Sequence, residues 1–124
     1  MIATQHTKLT PNYDITQAFE RACEKSEIDQ MEKLFAEYEL ENIDRMYYRM
    51  ANAGNIKVVE WLKEKGGRFG TGHGLDGLFC RSHYRAQTEM TKWLYENECN
   101  NINIEKVCGA WKRRGYTIPE YINF

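Results

Sequence analysis

The sequence predicts an all-α fold, a short helical solenoid of about three and a half helix–turn–helix units in one domain over residues 14–124. Three observations predict it. Prolines occur only at Pro11 and Pro119, so the long stretch between them carries no proline helix-breaker. Apolar residues recur at helical spacing through that stretch. The same pair of apolar helical faces also returns at offsets of 28 and 32 residues, which indicates an internal repeat.

The repeat is clearest in the middle unit, which we assign to residues 43–74. Its first helix presents an apolar face at spacing i, i+3 and i+4, formed by Tyr47, Met50 and Ala51. Gly54 and Asn55 then predict the end of that helix and the N-cap of the next. The second helix presents a further apolar face, formed by Ile56, Val59, Trp61 and Leu62.

The units at about 14–42 and 75–103 repeat both faces. The first face consists of Phe19, Ala22 and Cys23 in the one unit and of Phe79, Ser82 and His83 in the other. The second face consists of Ile28, Met31 and Leu34, and of Thr88, Met90, Trp93 and Leu94. One unit of this size cannot bury its apolar face alone, so we expect the units to stack.

The ends and connections follow from the residues between these faces. Residues 1–13 are predicted to be a flexible N-terminal tail, with Asp14 as the N-cap of the first helix. A glycine-rich loop over 66–74 joins the second and third units, and Gly66 is placed to end the helix before it. Residues 104–124 are predicted to form a C-terminal cap, a helix followed by a short capped turn.

The net charge of −1 combines two opposite halves. Residues 14–44 carry a balance of −7, and residues 45–124 carry a balance of +5. The near-neutral total argues against a dedicated nucleic-acid binder, whereas the separated halves predict a polarised surface.

The N-terminus lacks the apolar region of a secretory signal, and no stretch is apolar enough to span a membrane. We therefore expect an intracellular protein, cytoplasmic in the producing or infected cell, with its four cysteines as reduced thiols.

The middle unit resembles the ankyrin-repeat family. That family's units carry the core Leu-His-x-Ala-Ala-x-x-Gly-x-Leu-x-Val-Val-x-Leu-Leu followed by Gly-Ala, and the matching stretch here runs from Tyr47 to Leu62, with Gly66 and Gly67 after it. The Val-Val-Glu-Trp-Leu string is similar to the divergent repeats of large DNA viruses. The family's Thr-Pro-Leu-His turn is absent, and Ser26 and Ala86 replace its turn glycine, which leaves open a different helical solenoid.

Arginines recur at one position of the repeat. Arg21, Arg49 and Arg81 each lie two residues beyond the apolar anchor, about 200° round the helix, so they should point away from the core. Arginine suits bidentate contact with carboxylate or phosphate groups. The predicted partner-binding residues are Arg21, Arg49, Arg68, Arg81, Tyr84 and Arg85, with the basic run 112–114 as an extension. The alternative is that these arginines form ordinary ion pairs on helix surfaces.

The resemblance implies a non-catalytic protein-binding module that engages its partner through a concave face of the first helices, and the arginines favour a partner with an acidic surface. It implies an adaptor or an inhibitor, and its viral character suggests action on a host or cellular protein. Two alternatives stay open. One is a nucleotide or nucleic-acid binder that uses the basic C-terminal two-thirds. The other is a homo-oligomeric structural protein that buries its exposed edges by symmetry.

We predict no catalytic residue, metal ion or cofactor. The glycine-rich run over residues 70–74 lacks the lysine and the preceding strand of a phosphate-binding loop. A zinc site through Cys80, His83, Cys99 and Cys108 is the alternative considered, but its second half lacks a tight cysteine pair. A hydrogen-bonded histidine and packed thiols are the simpler interpretation.

Overall fold

A computed structural model describes residues 7–70 and 74–123, and this part of the chain is all-helical. Its α-helices are α1 Tyr13–Glu24, α2 Ile28–Glu37, α3 Ile43–Ala53, α4 Ile56–Glu64, α5 Leu75–Tyr84, α6 Thr88–Glu98 and α7 Ile104–Arg113, with a 3-10 turn at Cys99–Asn101 after α6. The prediction of an all-α fold is confirmed. Residues 1–6 of the predicted tail, 71–73 of the glycine-rich loop and 124 of the predicted cap lie outside the described residues.

Helices that follow one another within a unit pack as pairs: α1 on α2, α3 on α4, and α5 on α6. The odd-numbered helices also contact one another in chain order, α1 with α3, α3 with α5, and α5 with α7, and α4 contacts α6. Helices α3 and α5 therefore each lie between two other odd-numbered helices and also pack on their own partner. None of the helices in the described ranges has the length and apolarity needed to cross a bilayer.

The core lies where the repeated apolar faces meet. The anchors Phe19, Tyr47 and Phe79 are fully buried, and so is Trp111 on α7. The partner helices contribute Met31, Val59 and Leu94, which are also buried. Burying a side chain of this size stabilises a fold by roughly 1.5–3 kcal/mol relative to leaving it exposed.

The turn after each odd-numbered helix has the same backbone conformation. Ser26, Gly54, Ala86 and Gly115 follow α1, α3, α5 and α7 and have φ of 57°, 79°, 57° and 79°. Each donates its N–H to the carbonyl three residues back, and the next residue donates to the carbonyl five back, at 2.8–3.1 Å. Replacing the turn glycine by Ser26 and Ala86 thus leaves the turn unchanged, although a Cβ in this left-handed region is unfavourable.

The N-terminal segment differs from its prediction in two ways. Helix α1 begins at Tyr13, and the Asn12 side chain accepts the Ile15 N–H at 2.9 Å, so the assignment of Asp14 as N-cap is wrong. Asp14 lies in the first turn, where its charge still favours the positive end of the helix dipole. The backbone of Leu9 exchanges two hydrogen bonds of 2.9 Å with the chain at the end of α2. This part of the predicted flexible tail is therefore attached to the fold.

Aspartates at the second position of two odd-numbered helices hold the loops that lead into the next unit. Asp44 accepts the backbone N–H of Arg68 at 2.9 Å, and Asp76 accepts that of Asn103 at 2.9 Å. Gly66, which follows the end of α4, has φ of +96°, a conformation that glycine adopts without steric cost. These bonds fix where α5 and α7 begin, and hence which of their side chains face solvent.

Candidate functional site

Within the basic part of the chain, residues 45–124, the charges also differ from helix to helix. Helices α3, α5 and α7 each contain one acid, Asp44, Asp76 or Glu105, and in each case it is the second residue of the helix. All other charged residues on these three helices are basic. The even-numbered helices carry eight acids and four bases. Helix α1 carries three acids, Asp14, Glu20 and Glu24, against the single base Arg21, so the basic character belongs to α3, α5 and α7 alone.

At the first junction, between α1 and α3, arginines are neutralised by carboxylates. Glu20 is buried, with a side chain 7% exposed, and it accepts hydrogen bonds from Arg45 at 2.7 Å and from Arg49 at 3.2 Å. Asn42 donates a third hydrogen bond to it at 3.2 Å. Arg49 also pairs with Glu24 at 3.3 Å. A buried carboxylate needs such partners, so these arginines act first as links between the two helices.

At the second junction, between α3 and α5, the same arginine position meets neutral partners. Arg81, which is half-buried, donates to the Tyr48 hydroxyl at 3.1 Å. Arg85, which is exposed, donates to the side-chain oxygen of Asn52 at 3.3 Å. Neither contact removes positive charge, so both guanidinium groups keep their full electrostatic attraction for an anion.

At the third junction, between the end of α5 and the turn after α7, aromatic rings and an arginine lie together. The rings of Tyr84 and Tyr116 have centroids 4.6 Å apart, and the Arg114 guanidinium lies 5.2 Å from the Tyr84 ring. Tyr116 is 40% exposed. A hydrogen bond with the Cys80 side chain raises the pKa of Tyr84, so its hydroxyl remains protonated at neutral pH. Tyrosine and arginine are the residue types most often decisive in protein interfaces.

Two of the arginines lie back over glycines one turn earlier in their own helices. A Cβ at Gly77 would lie 3.1 Å from Nη1 of Arg81, and a Cβ at Gly109 would lie 3.4 Å from Nη1 of Arg113. Gly77 therefore leaves room for the Arg81 guanidinium to lie along α5, whereas at Gly109 a Cβ would make an ordinary contact with Arg113. We give one name, the arginine surface, to the arginines and tyrosines of the three junctions together with Arg113. Its members are Arg45, Tyr48, Arg49, Arg81, Tyr84, Arg85, Arg113, Arg114 and Tyr116.

The predicted partner-binding residues separate into two groups. Contacts link Arg49, Arg81, Tyr84 and Arg85 to the neighbouring odd-numbered helices, as described above. Arg21 is exposed in the last turn of α1, and its side chain makes no ion pair within residues 7–70 and 74–123. Arg68 lies in the loop after α4 and lines a separate cavity. Ion pairing, the alternative interpretation of the arginines, applies to Arg49.

The cavity beside Arg68 has a volume of about 690 Å³ and lies where the loop after α4 meets the starts of α5 and α7. Its cationic lining residues are Lys63, Arg68 and Lys106, and its acidic ones are Asp76 and Glu98. Buried Glu98 accepts hydrogen bonds from Lys63, from Asn101 at 3.3 Å and from the Tyr47 hydroxyl at 3.4 Å. Burial and the Glu98 charge raise the pKa of Tyr47. The acids of this cavity are already satisfied, and its charge is mixed.

The cysteines and His83 have structural surroundings. His83 is half-buried, its Nε2 is 2.8 Å from the Thr117 carbonyl, and its ring packs against Trp111 at 4.5 Å. Cys23 and Cys108 are buried, and all four thiols are free. Within the described ranges, no three His, Cys, Asp or Glu side chains are grouped so that they could hold a metal ion.

The contacts across helix junctions are what sequence reasoning missed. Glu20, Tyr48 and Tyr116 each contact a predicted residue, and Arg45 contacts Glu20, but sequence reasoning singles out none of the four. The 28-residue offset contains the signal for Glu20, because it gives Glu20 the same repeat position as Tyr48, one residue before the recurring arginine.

Comparisons of the chain with protein-family models, curated proteins and solved structures find no match.

Proposed function

We propose that this protein is a non-catalytic binding module that holds an acidic segment of a protein partner against the arginine surface. The observation that carries the proposal is the row of arginines with neutral partners on α5 and α7, interleaved with Tyr84 and Tyr116. Guanidinium groups bind carboxylates in bidentate geometry, and tyrosines add contact area with little loss of side-chain entropy.

The architecture that goes with this function is an ankyrin-like stack of about three and a half helix pairs. Support comes from the identical turns after α1, α3, α5 and α7 and from the contacts between successive odd-numbered helices. A stack of this kind displays the first helices of its units side by side, as one extended surface. An adaptor or inhibitor, including a virus-encoded one that acts on a host protein inside the cell, would use that surface without any chemical step.

A nucleic acid is the second candidate partner, and one observation favours it. On α3, α5 and α7 every charge beyond the second residue is basic, and the exposed ring of Tyr116 can stack on an unpaired base. We rank it second because Glu20 and Glu24 neutralise the arginines on α3, and a nucleic acid, which carries a charge on every phosphate, needs a longer row of unpaired cations than a short acidic segment does. That leaves only a short row of cations for phosphate contacts.

The test is charge reversal on the arginine surface against charge reversal elsewhere. The test variant is Arg85→Glu with Arg114→Glu, and its matched control is Lys33→Glu with Lys57→Glu, two exposed lysines on α2 and α4. Both variants change the net charge by the same amount. A partner captured by the wild-type chain is purified, and its affinity is measured for all three proteins. We expect at least a roughly tenfold loss for the test variant and little change for the control.

The outcomes separate the two candidates. Equal affinity for the test variant and the control would refute a role for the arginine surface. Binding of a single-stranded oligonucleotide with an affinity that falls steeply as salt rises, in place of a protein partner, would favour the second candidate.

A further inference from the structure

We infer that a second copy of this chain docks on Arg85 and Arg114 of the arginine surface through the glutamates of residues 37–41. We call residues 37–41, at the connection between α2 and α3, the acidic segment. The inference rests on the proposed function, because it uses the same arginines and names a partner that carries the acidic group they would bind.

The acidic segment presents three carboxylates to solvent. Glu37, Glu39 and Glu41 are exposed, whereas Tyr38 and Leu40 between them are half-buried and pack against the core. This alternation is that of an extended chain, in which successive side chains point to opposite sides. None of the three carboxylates forms an ion pair with another residue of the described ranges. Their charge is therefore fully available to a partner.

The backbone of the acidic segment is held in place by the N-terminal part of the chain. Tyr38 is extended, with φ of −124° and ψ of 148°. Leu9 donates its N–H to the Glu37 carbonyl and accepts the Glu39 N–H, both at 2.9 Å. A segment that is already held in one conformation loses less entropy when it binds. The three glutamates can thus meet a partner together with little further ordering.

The acidic segment and the two arginines lie at opposite ends of the odd-numbered helices. The segment comes directly before α3, and the starts of α3, α5 and α7 are linked by the hydrogen bonds that Asp44 and Asp76 accept from the following loops. Arg85 and Arg114 instead follow the last residues of α5 and α7. A helix of ten residues, such as α5, is about 15 Å long. An ion pair needs its atoms within roughly 4 Å, so these groups cannot meet within one copy.

Two copies, in contrast, offer each other complementary groups. Arg85 contacts only neutral atoms of Asn52, Arg114 lies over the Tyr84 ring, and guanidinium groups bind carboxylates in bidentate geometry. The net charge of −1 gives two copies almost no overall repulsion. One contact leaves an acidic segment free on one copy and an arginine surface free on the other. These pair with each other in a closed dimer or with further copies in a longer assembly.

The experiment uses two variants that each lack one of the two groups. The first carries Glu37→Gln, Glu39→Gln and Glu41→Gln, and the second carries Arg85→Gln and Arg114→Gln. All of these positions are exposed, so the substitutions leave the core intact. Sedimentation equilibrium over a wide range of concentration gives the mass of the wild-type chain, of each variant and of their equimolar mixture. The salt concentration is about 20 mM, where screening is weak.

A matched control separates the acidic segment from acidity in general. It carries Glu60→Gln, Glu64→Gln and Glu89→Gln, three exposed glutamates on α4 and α6. These substitutions change the net charge by the same amount as those in the acidic segment. We expect the control to associate as the wild-type chain does.

We expect the mass of the wild-type chain to rise above that of a monomer as its concentration rises, and each variant alone to remain monomeric. The mixture of the two variants should form a 1:1 pair, because one intact acidic segment then meets one intact arginine surface. The pair should grow no further, since its remaining groups are neutral. Its affinity should fall at least about threefold between about 20 mM and 200 mM salt, because the contact consists of exposed ion pairs.

Three results would overturn the inference: a wild-type chain that stays monomeric at every concentration, a mixture of the variants without a 1:1 pair, or a control that no longer associates. The proposed function would still stand in each case if the affinity for the natural partner depends on Arg85 and Arg114. Association of the copies as expected, together with a natural partner that ignores the reversal of both arginines, would instead refute the proposed function alone.

Discussion

The two ends of the arginine surface use the same repeat position differently. At the α1–α3 end, Arg49 pairs with Glu20 and Glu24, so its charge is neutralised inside the fold. Towards the other end, Arg81 on α5 contacts the neutral Tyr48 of α3, and Arg114, which follows α7, lies over the Tyr84 ring. The buried anchors beneath are equivalent at both ends. A residue that recurs in a repeat can thus link helices in one unit and remain able to bind an anion in another.

The difference arises from the residue that faces the arginine on the preceding helix. The position occupied by Glu20 on α1 is occupied by Tyr48 on α3 and by Cys80 on α5. Among these three side chains, the Glu20 carboxylate alone can neutralise a guanidinium at neutral pH. The ion pairs should therefore contribute more to stability at the α1–α3 end, and the binding of an anion should be stronger at the α5–α7 end.

The largest effects should come from the anchors and should be the same at both ends. Phe19→Ala and Phe79→Ala each remove a fully buried ring, so each should lower the free energy of unfolding by about 3–5 kcal/mol. Chemical denaturation of the two variants checks this. A loss well below that range at one end only would show that the two ends are not packed equivalently.

The hydrogen bonds that Glu20 and Tyr48 accept from arginines should contribute different amounts to stability. Glu20→Gln removes a buried charge bonded to two arginines and should cost about 1–3 kcal/mol. Tyr48→Phe removes one hydrogen bond, from Arg81, and should cost about 0.5–1.5 kcal/mol. Denaturation midpoints at matched conditions measure both. The reverse order would contradict the assignment of the α1–α3 arginines to stability.

The turns offer a comparison between units that have a glycine and units that do not. Gly54 has φ of +79°, and a Cβ there would also lie only 3.1 Å from Nε2 of Gln87, so Gly54→Ala should destabilise the fold by about 1–2 kcal/mol. Ala86 has φ of 57°, and Ala86→Gly should change stability by less than about 1 kcal/mol, because relief of strain is offset by greater freedom of the unfolded chain. Thermal unfolding of the pair measures the contrast. Equal losses for both would show that the turns are not equivalent.

The pKa values of the buried thiols Cys23 and Cys108 depend on the charged residues near each of them. Burial, with Glu20 and Glu24 nearby, raises the pKa of Cys23 from 9.0 to about 12. Burial also raises the pKa of Cys108, but Lys112 lowers it again in part. Since the folded chain keeps Cys23 protonated, its contribution to stability is complete below pH 9 and is lost as the pH rises from 9 towards 12.

This loss should be on the order of 1 kcal/mol at pH 10 and absent in a Cys23→Ala background. Denaturation curves at pH 8 and pH 10 give the difference, and alkylation at pH 8 followed by peptide mass analysis gives the reactivity of each thiol. Faster alkylation of Cys23 than of Cys108 would contradict the stronger stabilisation of the neutral thiol on α1.

Sequence alone predicted the helices well and the surface only in part. Apolar periodicity found the buried anchors Phe19, Tyr47 and Phe79, because burial of large side chains depends on local spacing. It missed Asn12 as the first N-cap, since both Asn12 and Asp14 can cap a helix and only the backbone selects between them. It also could not separate Arg49 from Arg81, because the difference depends on a partner residue from another helix.

The most direct test of the arginine surface is to map where an acidic ligand contacts the protein. Titration of a glutamate-rich peptide into isotopically labelled protein, followed by backbone amide chemical shifts, locates the contact without disturbing the fold. The largest shifts should fall at the ends of α5 and α7 and in the turn that contains Tyr116, with smaller ones on α3. Shifts concentrated on the even-numbered helices, or around the cavity beside Arg68, would contradict a binding site on the arginine surface.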